Sequence, residues 1–115
     1  MTDLDRFTAA AIAALIWTET GIDSDIPEGA ALARETFADL AADCRSWWRR
    51  FGCYVGPAGM DSESAGQAFL LTRNEHGAGF WDGRANETYS ETLTAGAHAY
   101  GPFVCYLGDD GLLYA

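Results

Sequence analysis

A histidine surrounded by carboxylates is where this chain could do chemistry. Arg73, Asn74, Glu75, His76 and Asp82 fall within one ten-residue stretch, and an imidazole within reach of an acid can move protons at neutral pH. The same residues also read as turn chemistry. Asn and Gly accept unusual backbone angles, and Arg73 can pair with a nearby acid. No motif places a Ser or Cys nucleophile beside the histidine. His98 is the other of the two histidines. No HExxH spacing links them to carboxylates, so a metal site is not expected. Asp109 and Asp110 fall short of the six or more ordered oxygens that a calcium loop supplies, and they read as turn residues.

The run Arg45-Ser46-Trp47-Trp48-Arg49-Arg50-Phe51 offers a different chemistry. Aromatic rings interleaved with guanidinium groups can stack on bases or anchor a protein interface. Adjacent positions lie about 100° apart on a helix, so Trp48 falls at the edge of the face that Trp47 buries. The alternative is a core tryptophan followed by arginines that match the helix dipole.

Absent residues narrow the field. All seven basic residues are arginine. Without a lysine there is no P-loop lysine, no Schiff-base lysine and no kinase-type lysine. Neither a GxGxxG after a strand nor a GxSxG occurs. No cofactor is expected.

The elements that would carry these residues follow from periodicity. Thr2–Thr20 reads as a helix, opened by Thr2 with Asp5 in a capping-box spacing and stopped at Gly21. A second helix is predicted from about Glu28 to Phe51, with the seam Ala33, Phe37, Leu40, Cys44, Trp47 and Phe51, and ends at Gly52. Residues 53–66 read as a surface loop. Phe69–Thr72 and Gly79–Trp81 then form a predicted hairpin around Asn74-Glu75-His76-Gly77. A third helix covers Glu87 to Tyr100, with Tyr89, Leu93, Ala97 and Tyr100 inward. Phe103–Leu107 and Leu112–Tyr114 form a second hairpin around Gly108-Asp109-Asp110-Gly111. The expectation is a single α+β domain of order ααββαββ, a small antiparallel sheet of two hairpins packed with two N-terminal helices and one inserted helix.

Composition and charge bound the function. At 115 residues, 49% of them hydrophobic, the chain fits one folded core. Its first charges are acidic, unlike a signal peptide, and its most apolar run is far shorter than a membrane span. Cys44, Cys53 and Cys105 have no CxxC spacing and read as reduced thiols of a cytoplasmic protein. On one helix, Cys44 and Cys53 would lie on opposite faces. The net charge is −10. It is uneven: residues 1–43 carry −7, residues 44–52 carry +3, and residues 53–115 carry −6. Such a balance disfavours direct binding to nucleic acid or to anionic membrane and favours steering toward a basic partner. It also serves solubility.

The stretch Phe69–Asp82, FLLTRNEHGAGFWD, resembles a family of small acidic bacteriophage and prophage proteins that typically carry LTRNGHGAGFWD. The similarity extends to DLDRFTAAAIAALIW at the start, to Asp43-Cys44, and to the ending YLGDDGLLY. It covers most of the chain in patches. The resemblance implies a phage setting and assigns no mechanism. Gln67 and Ala68 stand where the family commonly has His and Asp, and Glu75 stands where it has Gly. Any chemistry of that His and Asp in relatives would be missing here.

The function expected from these readings is a non-enzymatic inhibitor of a host nucleic-acid-binding or defence protein, of anti-CRISPR or anti-restriction type, acting by charge mimicry. Its partner-binding candidates are Asp23, Asp25, Glu28, Asp39, Asp43, Trp48, Glu75, Asp109 and Asp110. One alternative is an assembly protein that forms a homodimer through Trp47 or Trp48. The other is a small hydrolase or transferase centred on His76.

Overall fold

The computed structural model describes residues 1–20, 24 and 26–115. Four helices, α1 (Asp3–Glu19), α2 (Arg34–Val55), α3 (Ser62–Arg73) and α4 (Glu87–His98), are joined by a short 3-10 turn at Phe80–Asp82. Three short strands, β1 (Ala31–Leu32), β2 (Tyr106–Leu107) and β3 (Leu112–Tyr114), make one sheet in the order β1-β3-β2.

α1 begins as its sequence requires. The Thr2 hydroxyl accepts from the Asp5 amide at 3.0 Å, and the Asp5 carboxylate accepts from the Thr2 amide at 3.1 Å. Two of the four amides that a helix start leaves without partners are thereby satisfied. Phe7, Ala10, Ala11, Ala14 and Leu15 form its buried stripe. α3 lies along this stripe in the same direction, with Glu63 beside Arg6 and Ala10, and Leu71 beside Trp17. The two backbones come so close that a Cβ on Gly66 would meet the Phe7 carbonyl oxygen at 2.1 Å. Only glycine fits there.

α2 crosses α1 in the opposite direction and delivers Trp47 to the centre, 0% exposed. Its indole lies between two nearly parallel rings, Phe7 at 5.1 Å and Phe80 at 5.4 Å, and Phe69 and Phe51 tilt against it at 5.4 Å. Trp47 thus ties α1, α2, α3 and the 3-10 turn together, a packing contribution on the order of 3–5 kcal/mol.

The two-hairpin sheet expected from the sequence is not the one formed. Phe69–Thr72 belongs to α3, which Asp61 caps by accepting from the Ser64 amide at 2.7 Å. α3 is buried nearly all round, including the whole of Ala68–Arg73. Over that second half the helix has no exposed face, so its short apolar run looks like a buried strand, although Glu63 and Gln67 remain exposed one turn apart in the first half. Gly79–Trp81 lies in and before the 3-10 turn, and Asn74 ends α3 rather than turning a hairpin.

Other boundaries move too. α2 starts at Arg34, not Glu28, because Ala31 and Leu32 pair with Leu112 and Leu113 as a parallel strand. It runs through Gly52 to Val55, with the Trp48 ring occupying the space a side chain at 52 would take. Residues 53–66 are therefore the end of one helix, a short connection, and the start of the next. On the predicted seam Phe37 is 50% exposed, and the buried position is Thr36, whose hydroxyl donates to the Leu113 carbonyl at 2.8 Å. The second expected hairpin is present in shortened form, with Tyr106 opposite Tyr114 and Leu107 opposite Leu113. α1 and α4 closely match their predicted spans. The Gly21 stop lies outside the described residues.

Arg73 and Asn74 fasten the end of α3 to the segment leading into the sheet. The Arg73 side chain is almost wholly buried and pairs with Asp43 on α2 at 3.0 Å. Its Nε donates to the Gly101 carbonyl at 2.8 Å and Nη2 to the Tyr100 carbonyl at 3.3 Å, just beyond the end of α4. The guanidinium also lies over the rings of Phe69, Tyr100 and Phe103 at 5.2–5.6 Å. Beside it the Asn74 amide donates to the Phe103 carbonyl at 2.9 Å and accepts from the Phe103 amide at 2.6 Å, standing in for a neighbouring strand.

Two stability outcomes follow. Arg73→Met strips one charge from a shielded pair and leaves two carbonyls without donors, and should lower unfolding free energy by about 3 kcal/mol in urea titration. Arg73→Lys should restore only part of the loss, because an ammonium cannot fork. Glu75 holds φ +52°, a conformation costly to any residue with a Cβ. Glu75→Gly should raise the thermal midpoint, by about 0.5–1 kcal/mol in stability.

Candidate binding surface

The expected carboxylates do not form a single face. Asp43 is spent on Arg73. Asp3 pairs with Arg6 at 3.3 Å and Asp82 with Arg84 at 3.2 Å, while Asp5 and Asp61 cap helix starts. Asp39 is exposed on α2, and Glu75 is exposed beyond the end of α3. Asp23 and Asp25 lie outside the described residues. Trp48 is half-buried, with its ring 5.1 Å from Phe7, and is part of the packing more than of the surface.

Glu28, Asp109 and Asp110 do come together. β1 and β3 run parallel, so the turn at Pro27–Ala30 and the turn at Asp109–Gly111 lie at the same end of the sheet. Asp110 accepts from the Tyr114 hydroxyl and from the Leu112 amide. These bonds hold its carboxyl below the usual carboxylate range and push the Tyr114 hydroxyl up to about 12. Glu35, at the start of α2, adds its negative field at Tyr114.

Between these acids the outer sheet face is apolar. Side chains alternate across a strand, and register places Ala31, Leu112, Tyr114 and Tyr106 on one side, continued by Val104. Tyr106 is 60% exposed and Val104 59%, and the Tyr106 ring stacks on Tyr114 at 5.9 Å. The opposite side turns Leu113 and Cys105 into the core. The sequence reading missed Glu35, Val104 and Tyr106. The signal available was Phe103–Tyr106 itself, apolar at every position, so that whichever alternate residues face the core, the others carry apolar groups outward.

The outer edge of this strand segment is occupied by side chains. Asn74 takes both polar groups of Phe103, and the Glu19 carboxylate accepts from the Cys105 amide. Burial pushes the Glu19 carboxyl up, opposed by that hydrogen bond and by His76 nearby. His76 is exposed, close enough to Glu19 for its charge to act on that carboxyl. Cys44 and Cys105 are buried, and burial raises their thiols to about 12 and about 11. Cys53 is exposed on the opposite side of α2 from Cys44.

Among the described residues, no group of three or more His, Cys, Asp or Glu side chains converges to hold a metal ion. Nor, among the described residues, is any helix long and apolar enough to cross a membrane. No protein-family profile, no curated protein and no solved structure matches this chain.

The sign of the Glu19 effect can be tested. A carboxyl raised in the folded state adds stability below its unfolded pKa, lost as pH rises through the folded value. Glu19→Gln removes that titration while keeping an acceptor for Cys105. The variant should therefore gain stability relative to the parent between pH 4 and pH 7, and the difference should shrink toward zero below about pH 4. Chemical denaturation at several pH values reads this directly.

Proposed function

We propose that this chain is a non-enzymatic binding protein whose acid-rimmed sheet face docks on a positively charged protein surface. The observation that carries the reading is the exposed Val104 and Tyr106, continued by the half-buried Tyr114, with Glu28, Glu35, Asp109 and Asp110 near the ends of the same strands. An apolar centre with a charged rim is how protein interfaces divide affinity from steering. In the phage setting that the FLLTRNEHGAGFWD resemblance suggests, the partner is a host nucleic-acid-binding or defence protein, whose phosphate-binding groove the carboxylates occupy. This is inhibition of the anti-CRISPR or anti-restriction kind.

A second reading rests on the same face. Val104 and Tyr106 could meet their counterparts in another copy of the chain. Trp47 cannot form that seam, because it is fully enclosed. Salt separates the two readings. A basic partner is held less tightly as ionic strength rises, whereas two identical acid-rimmed faces repel less.

The test is affinity capture from a bacterial host, followed by displacement of DNA or RNA from the captured protein by the purified chain. Tyr106→Ala should weaken displacement about tenfold or more. Combined Glu28→Gln, Glu35→Gln, Asp109→Asn and Asp110→Asn should weaken it further and flatten its salt dependence. Displacement unchanged by both sets would dismiss this face as the interface.

A further inference from the structure

A second surface feature has a chemistry of its own. α4 presents Glu87, Ser90, Glu91, Thr94, Ala95 and His98 along one stripe, and Trp81 stands beside them. Together they line an open cleft of about 470 Å³. The indole is 52% exposed, an unusual position for the largest apolar side chain.

The cleft is built, not incidental. The Ser90 hydroxyl donates to the Phe80 carbonyl at 3.1 Å and fixes the 3-10 turn against α4. Gly79 lets that turn approach α3, since a Cβ there would meet the Thr72 hydroxyl at 2.1 Å and the Trp81 indole nitrogen at 3.2 Å. Trp81 is therefore set in place by backbone contacts on one side and open on the other. Glu87 and Glu91 are one helical turn apart, on the same face, and both are exposed. Neither joins an ion pair among the described residues, and no arginine lines the cleft. The Thr94 hydroxyl, shielded from solvent at the wall, has no hydrogen-bond partner among the described residues.

An aromatic side chain beside two unpaired carboxylates favours an organic cation. We propose that this cleft receives the guanidinium of an arginine side chain, stacked on Trp81 and paired with Glu87 and Glu91. Arginine suits it better than lysine, because a guanidinium can stack flat and fork to carboxylate at once. The inference rests on the basic-partner reading above and gives that partner a defining residue, an exposed arginine that enters the cleft while the sheet face engages elsewhere.

The test does not need the partner. Nα-acetyl-arginine amide, titrated into the full chain, should shift the Trp81 indole N–H resonance saturably in the millimolar range, with assignment by Trp81→Phe. The citrulline analogue, neutral and of the same shape, should not. Acetyl-lysine amide should bind more weakly. Glu87→Gln with Glu91→Gln should weaken the arginine probe about tenfold while leaving the other indole resonances in place, which reports an intact fold. Equal shifts from arginine and citrulline, equal shifts at Trp17, or indifference to the double substitution would overturn the proposal. If the probe binds as expected and no basic partner is displaced from nucleic acid by the chain, the cleft stands and the inhibitor reading falls. The converse result leaves the sheet face and removes the cleft.

Discussion

The organisation of this protein depends on one shielded cation. Arg73 sits at the end of a helix already enclosed by neighbours, and its guanidinium answers Asp43 from α2 and two carbonyls just past α4. Three rings pack around it. A charge in such a place is tolerable only when it is paired and its faces are covered, and here Nη1 meets the Asp43 carboxylate while Nε and Nη2 take the carbonyls. Satisfying it therefore fixes the relative positions of α2, α3 and the segment that enters the sheet. Asn74 extends the same junction by binding both polar groups of Phe103. The Trp47 stack adjoins this cluster, since the Phe69 ring touches both the indole and the guanidinium, and it holds the helices together through dispersion and burial without any directional bond.

This junction changes the meaning of the FLLTRNEHGAGFWD stretch. Read along the chain, it gathers the residue types from which an acid–base site could be made. In space, Thr72 accepts from the Phe80 amide, Arg73 and Asn74 bind backbone, Gly79 makes room for Thr72, and Asp82 caps the turn it belongs to. Most of its polar atoms are spent on architecture. Glu75 and His76 are left at the surface.

What could be read from sequence was whatever had a local cause. The capping box at Thr2, the amphipathic seam through Leu40, Cys44 and Trp47, and the turn at Gly108–Gly111 each depend on residues close in the chain, and each is present. The opposed exposures of Cys44 and Cys53 follow from helical phase alone. What misled was burial from every side. The second half of α3 lost its polar face to its neighbours, and with that the 3.6-residue rhythm that marks a helix. β1 has two residues and pairs with a strand far along the chain, so no local pattern announces it. The acidic surplus was visible as a number, but its division into helix caps, a shielded pair and a rim around the sheet depended on contacts that spacing does not encode. Of the expected partner-binding residues, Glu28, Asp109 and Asp110 gather and Asp43 does not.

The contact between the Phe7 carbonyl and Gly66 also bears on how the chain matures. During ribosomal synthesis α1 emerges long before the helix it lies against, and α2 alone covers only part of its apolar stripe. Until α3 has been made, the side of α1 that faces Gly66 has no cover from this chain. A strongly negative nascent segment repels its own copies during that interval, which gives the charge a task in biogenesis separate from anything the finished surface does.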